Sequence, residues 1–341
     1  MSSTSDTKSN EEPPQDPPSI VFTSEGDTRL LVKADGVNKV FVVSSQVMRL
    51  ACDAWSRMLA PDGYFKEAQP TADGMKEVEL PDDEGEALAI LLNIAHLRFD
   101  KVPRTLDFQN LLDVAILTDK YGITRLVEPW VHKWLEDAKE TFNIRNHEQW
   151  LWIAWEFGDA ETFNQVCEHL VKTIWVPFQS TFRPRLDGVF PPGIVESVID
   201  VRANVIDDLF NLCYKCIQKY EQGNRWGSVR RPICQQYTNR EACDALLYGQ
   251  FLLQLHNTVG FTEPRETNLK RNSSIMGLEK DLMSISLETF PQTRSMVTHH
   301  QCNFQDESTS SVRNILDNIP SAVLDYHKVH IERQRAILRS G

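Results

Sequence analysis

The sequence contains no run of about 20 apolar residues, so no helix that crosses a bilayer is expected. Positive charge is in deficit: 36 Lys and Arg stand against 48 Asp and Glu, a net charge of −12, which argues against nucleic-acid binding by broad phosphate neutralisation. The first residues lack an apolar stretch, and no secretory leader is expected. A nucleophile elbow, a Walker loop, a dinucleotide glycine fingerprint and a metalloprotease helix are all missing. Without such placed groups we expect no enzyme. No repeat of about 20–50 residues recurs, which excludes propellers and solenoids. The seven cysteines, an odd number with no export signal, read as reduced thiols of an intracellular protein, in the cytoplasm or nucleus.

What is present is a globular balance. Of 341 residues, 41% are hydrophobic and 25% charged, enough for about two domains, each with its own core. Residues 1–18, with Pro13, Pro14, Pro17 and Pro18 among Ser and Glu, have little to bury and read as a disordered tail. Two short runs, Arg29–Ala34 and Lys39–Val43, flank Asp35-Gly36-Val37-Asn38, a hairpin signal. Ser44 and Ser45 stand where a helix cap is wanted, ahead of a helix reaching Leu59. Lys76–Leu80 alternates as a third strand. Pro81-Asp82-Asp83-Glu84 is expected to open a helix, with Ala87, Leu88, Leu91, Leu92 and Ala95 on its buried face. Asp107 caps the next helix and Gly122 ends it, while Pro129 predicts a kink or late start in the one that follows. Later helices are expected over 147–157, 160–175, 194–220, 241–258, 312–318 and 321–338. A Gly/Arg loop is expected at about 223–233, and irregular chain over 261–310 with one short helix near Ile275–Met283. The fold class expected is α+β.

The order hairpin, helix, strand and three helices over residues 19–137 resembles the BTB/POZ domain. The residues that carry the resemblance begin with Gly26-Asp27-Thr28, Phe41-x-Val43 and Met48. Trp55-x-x-Met58-Leu59 stands where the family has Phe-x-x-Met-Leu, and Gly63-Tyr64-Phe65-Lys66-Glu67 is similar to its Gly-x-Phe-x-Glu/Ser turn. Glu77-Val78-Glu79-Leu80-Pro81 matches the family's strand. Leu117-Thr118-Asp119-Lys120-Tyr121-Gly122-Ile123, with Leu126-Val127, matches its Ala-Asp-Lys-Tyr helix end. Ser44-Ser45 departs from the pattern, because the family commonly has a His directly after the second strand. Asp27 then lacks the histidine that would lodge it in a polar pocket, and it is expected as a capping residue.

The resemblance implies a small sheet, three-stranded or slightly larger, flanked by helices, and an interaction function. Members form homodimers or heteromers, or dock onto cullin-type ubiquitin-ligase scaffolds. Dimers that exchange a helix ahead of the first strand are not expected, since a Pro/Glu tail occupies that position. Residues 138–341 resemble, more loosely, the helical region that follows the BTB unit in proteins of filamentous fungi, on the stretches His147–Asp159 and Cys243–Gly249. Its long loops are placed near 176–193, 223–240 and 261–310. The expected function is a non-catalytic module for homo- or hetero-association, with other proteins as partners and neither membrane nor nucleic acid. The alternatives are a cullin-ligase substrate adaptor and a zinc-stapled nuclear regulatory protein.

Three groups of residues stay open to two readings. Trp130, Trp134, Trp150, Trp152, Trp155 and Trp175, six of the eight tryptophans, form either a core at the junction of the two regions or a peptide groove. Cys213-x-x-Cys216 lies within a helix, where it fits a buried face beside Leu209 and Leu212 and lacks the strand and helix N-terminus of a redox couple. If zinc is held, Cys234, Cys243, His300 and Cys302 are its expected ligands; otherwise the thiols are buried core residues and there is no cofactor. Arg225-Trp226, Arg230-Arg231 and the last helix, with His327, Lys328, His330, Arg333, Arg335 and Arg339, read as solvated basic faces or as docking sites for an acidic partner.

Overall fold

The computed structural model describes residues 17–34, 36–61, 65–140, 148–175, 188–226, 229–261, 273–289 and 299–339. Most of the expected tail, Asp35 of the hairpin turn, Gly63 and Tyr64 of the Gly-x-Phe turn, His147 and parts of the expected loops lie outside the described residues. The chain forms two compact units. One is Met1–Phe142 with Glu156–Gly158 and Arg333–Gly341; the other is Asn143–Trp155 with Asp159–Glu332.

In the first unit, β1 (Ser19–Val21), β2 (Thr28–Ala34), β3 (Val37–Val43) and β4 (Lys76–Glu84) build one sheet in the order β1-β3-β2-β4. β2 and β3 form the expected antiparallel hairpin, and β1 and β4 add in parallel to β3 and β2. Alternation sets the buried face of β2: Thr28, Leu30, Val32 and Ala34 point inward. Three residues are too short to show a period, which is why β1 is not visible in the sequence.

β4 departs from expectation. It continues past Leu80 to Glu84, across an irregularity opposite Val32 and Lys33, and Pro81, which has no N–H to donate, sits in that irregular stretch. The helix α3 (Gly85–Ala95) therefore starts later than its acidic run. A Cβ at Gly85 would stand 2.6 Å from Ala34 Cβ and 2.8 Å from Lys33 O, so only glycine lets α3 begin this close to β2. The helix expected to reach Leu59 is two: α1 (Ser45–Ala51) and α2 (Asp53–Met58), broken at Cys52, whose backbone is extended and whose sulfur accepts from Trp55 N at 3.4 Å. α4 (Phe108–Tyr121) carries both expected caps, with Asp107 accepting from Asn110 N at 2.8 Å and Gly122 left-handed at φ 66°. A 3₁₀ turn over Thr124–Val127 precedes α5 (Glu128–Glu140), which puts Pro129 in the first turn, where no helical N–H is needed.

The rest of the chain is mostly helical: α6 (Trp150–Glu156), α7 (Ala160–Thr173) and α8 (Ile194–Gln222) come first. The loop expected at 223–233 contains a hairpin, β5 (Asn224–Trp226) and β6 (Val229–Arg231). There follow α9 (Arg240–Gln254) with a π turn over Leu255–Val259, α10 (Ile275–Met283), α11 (Gln305–Asp317) and α12 (Asp325–Ile337). α11 begins inside the stretch expected to be irregular. Along α8 the buried positions Val198, Val205, Leu209, Phe210, Cys213 and Ile217 recur at helical spacing. Among the described residues no helix is long and apolar enough to cross a membrane.

Candidate functional site

In the first unit the motif residues divide into core and polar cluster. Phe41, Val43, Met48, Trp55, Leu59 and Leu80 are buried, Met58 is half-buried, and Phe65 and Asp119 are exposed. Asp83, which the sequence placed at a helix opening, is fully buried. Lys120 Nζ lies 2.5 Å from its Oδ1 and Tyr121 Oη donates to its Oδ2. The Tyr121 ring lies 5.0 Å from that of Trp55. Burial, then the Asp83 carboxylate, raises the Tyr121 phenol far above its ordinary value.

The N-cap of α1 is Ser44, and Asp27 reaches the same helix start through Ser45. The Asp27 Oδ1 accepts from Ser45 N at 2.6 Å and its Oδ2 from Ser45 Oγ at 2.5 Å, at the start of α1. Burial pushes its carboxyl up, but the Ser45 hydroxyl and amide and the Lys76 ammonium, 3.9 Å away, outweigh that and hold it below its ordinary value. His96, at the end of α3, accepts from Ser44 N through Nε2 at 3.1 Å, and its Nδ1 lies 2.9 Å from Leu92 O. Nδ1 then carries the proton, and burial lowers the ring's pKa.

The same unit exposes an apolar edge. β1 is the outer strand beside β3, and Ile20 and Val21 are 38% and 53% exposed. Arg98 Nη1 donates to Val21 O at 2.9 Å and ties the strand's end down. A groove of about 480 Å³ runs between Ile20, Phe41, Ala89, Ile90 and Leu106.

In the second unit four ligand-type side chains converge: Cys234, Cys243, His299 and Cys302, with ligand atoms all within 4.8 Å of one another. Cys234 Sγ lies 3.5 Å from His299 Nδ1 and 3.6 Å from Cys302 Sγ. Three of the four candidate residues are therefore brought together, and the histidine beside them is His299 where His300 was expected. The reason is local. Residues His300–Cys302 form a 3₁₀ turn in which Cys302 N donates to His299 O at 2.9 Å, and a helix of three residues per turn stacks i on i+3. His299 and Cys302 thus share a face, and His300 points to solvent. Asp244 accepts from Ile233 N at 2.6 Å and Cys234 N at 2.9 Å, and Arg240 Nε donates to Cys234 O at 2.6 Å. Burial, then the neighbouring sulfurs, raises the Cys243 thiol well above its ordinary value.

Several of the remaining candidates are buried, while the side chains of Arg225, Trp226 and Arg230 lie outside the described residues. Cys213 is buried on α8, where burial pushes its thiol up to about 12, and neither it nor Cys216 belongs to the sulfur cluster. Trp134, Trp150 and Trp155 are buried and Trp175 is exposed. The last helix is not a uniformly solvated basic face. His327 is buried with Nε2 2.9 Å from Pro192 O, and the His330 ring stacks on Trp155 at 3.6 Å. A comparison with protein-family models and one with curated proteins each found no match.

Proposed function

We propose that the chain is a non-catalytic, intracellular protein–protein interaction module of the BTB type, which self-associates or binds another protein through its first unit. The observation that carries this reading is the exposed apolar edge strand: Ile20 and Val21 stand beside a groove on β1, which among the described residues pairs with β3 alone and is otherwise held by Arg98 at Val21 O. Such an edge is a template for strand addition or apolar burial, at about 25 cal/mol per Å² before entropy costs. Further support comes from the sheet order and from the motif residues Trp55, Lys120 and Tyr121 meeting around Asp83. A second reading, a substrate adaptor for a cullin ligase, is favoured by the separate second unit, which offers a surface for a client.

The test places a photo-crosslinking amino acid at Val21 in the full chain, with the exposed Leu253 of the second unit as control. Light scattering then reports the mass of the assembly. A crosslink to a second copy, or to an identified protein, at Val21 alone supports association through this edge. A monomer that crosslinks no more at Val21 than at Leu253 overturns it. Crosslinking to a purified cullin at Val21 selects the adaptor reading.

A further inference from the structure

We propose that Cys234, Cys243, His299 and Cys302 hold one structural zinc ion in the second unit. With Zn–S near 2.3 Å and Zn–N near 2.0–2.1 Å, a tetrahedral ion sets its sulfurs about 3.8 Å apart and each sulfur about 3.6 Å from the nitrogen. The observed separations are 3.6 Å between Cys302 Sγ and Cys234 Sγ and 3.5 Å between Cys234 Sγ and His299 Nδ1. No ligand atom is more than 4.8 Å from another, at most about 1 Å beyond the tetrahedral spacing, so small side-chain shifts bring the set onto one ion, and it is too tight to be shared between two irons.

The chemistry of the donors selects the metal. Three soft thiolates and one imidazole suit zinc, and four protein ligands leave no open position, as in sites that hold a fold together. Cys234, Cys243 and His299 are buried. Sulfurs that serve only as small apolar groups pack against carbon; here they face each other and an imidazole, which joins weak S–H donors into a polar knot. The surrounding chain fixes the donors in place. The Asp244 carboxylate and the Arg240 guanidinium grip the backbone of residues 233 and 234, Cys243 rides on the first turn of α9, and the 3₁₀ turn aligns His299 with Cys302. The ion would join the segment after β6 and the α9 start to a turn more than fifty residues further on. The binding balances simply: each thiol releases its proton to solvent as its sulfur takes the metal.

The experiment measures zinc in the full chain by plasma emission after reconstitution under reducing conditions, and then replaces it with cobalt. We expect one zinc per chain, released by a thiol-reactive mercurial, and a cobalt form with the intense visible bands of tetrahedral coordination and an ultraviolet thiolate-to-metal band. His299→Ala should weaken zinc binding roughly tenfold or more and alter the cobalt spectrum, while His300→Ala changes neither. If His299→Ala fails to fold, the wild-type cobalt spectrum still decides. Sub-stoichiometric zinc, the pale spectrum of octahedral cobalt, loss of metal in His300→Ala with retention in His299→Ala, or a Cys234–Cys302 disulfide persisting in the reconstituted protein would each overturn the assignment.

Discussion

Tyr121 Oη and Lys120 Nζ share one buried carboxylate: the phenol donates to Asp83 Oδ2 while the ammonium lies 2.5 Å from Oδ1. Two adjacent residues at the end of α4 thus satisfy a charge at the irregular end of β4. Removing one donor leaves the carboxylate buried and under-paired, at a cost of about 1–3 kcal/mol. Tyr121→Phe and Asp83→Asn should each lower stability by that amount in urea unfolding. Because both act on one network, the double variant should cost less than the two single losses together, and simple additivity would show that the contacts are independent.

At the other end of the hairpin, Asp27 ties the start of α1 to the sheet through Ser45. Asp27→Ala should cost about 1–3 kcal/mol, the worth of the hydrogen bonds it accepts from Ser45. Its carboxyl is held below the ordinary 3.8, so the stability it adds is present above that value and lost as pH falls beneath it. Acid unfolding curves of wild type and Asp27→Asn should therefore converge below pH 3.8 and separate above it. Equal slopes throughout would remove the link to Ser45.

Removing metal should act locally. The ion proposed above touches only chain near residues 234, 243 and 299–302, whereas the β2–β3 hairpin is held by its own ladder. Chelation should raise amide hydrogen exchange at 232–244 and 299–312 and leave 28–43 unchanged. A uniform rise across both stretches would mean the ion holds more than this joint.

These contrasts mark what the sequence can show. The hairpin and both caps of α4 were legible because each rests on residues close in sequence: a turn pair and a cap three residues from its partner. β1 was not legible, since its pairing depends on β3 some twenty residues away. Asp83 was misplaced because its acidic neighbours imitate a helix start, and only tertiary contact with α4 turns the side chain inward. At the sulfur cluster three of the four converging residues were singled out in the sequence, and which histidine joins them turned on a 3₁₀ turn that no pattern around His299 and His300 announces.

Glu156 was not singled out by any pattern, and its environment gives the firmest pH prediction. It is fully buried in the first unit, where Thr124 Oγ1 donates to Oε1 at 2.6 Å and Gln334 Nε2 to Oε2 at 2.9 Å. No cation appears among these partners. Burial raises its pKa from 4.5 to about 8, although the hydrogen bonds from Thr124, Thr118 and Gln334 oppose the rise. The folded protein therefore keeps this proton over a range in which the unfolded chain has lost it. The sign follows: the stability tied to the neutral carboxyl is complete below 4.5, and it is lost as pH rises through about 8. At about 1.4 kcal/mol per pH unit the loss amounts to a few kcal/mol. His96 and His327, whose pKa values burial lowers, act in the opposite direction, so wild type alone does not isolate the effect. Glu156→Gln does isolate it, since both proteins share those histidines. In urea unfolding from pH 5 to 8, Glu156→Gln should be no more stable than wild type at the acid end and more stable at the alkaline end. A difference that stays constant over that range would mean that Glu156 is ionised in the folded protein.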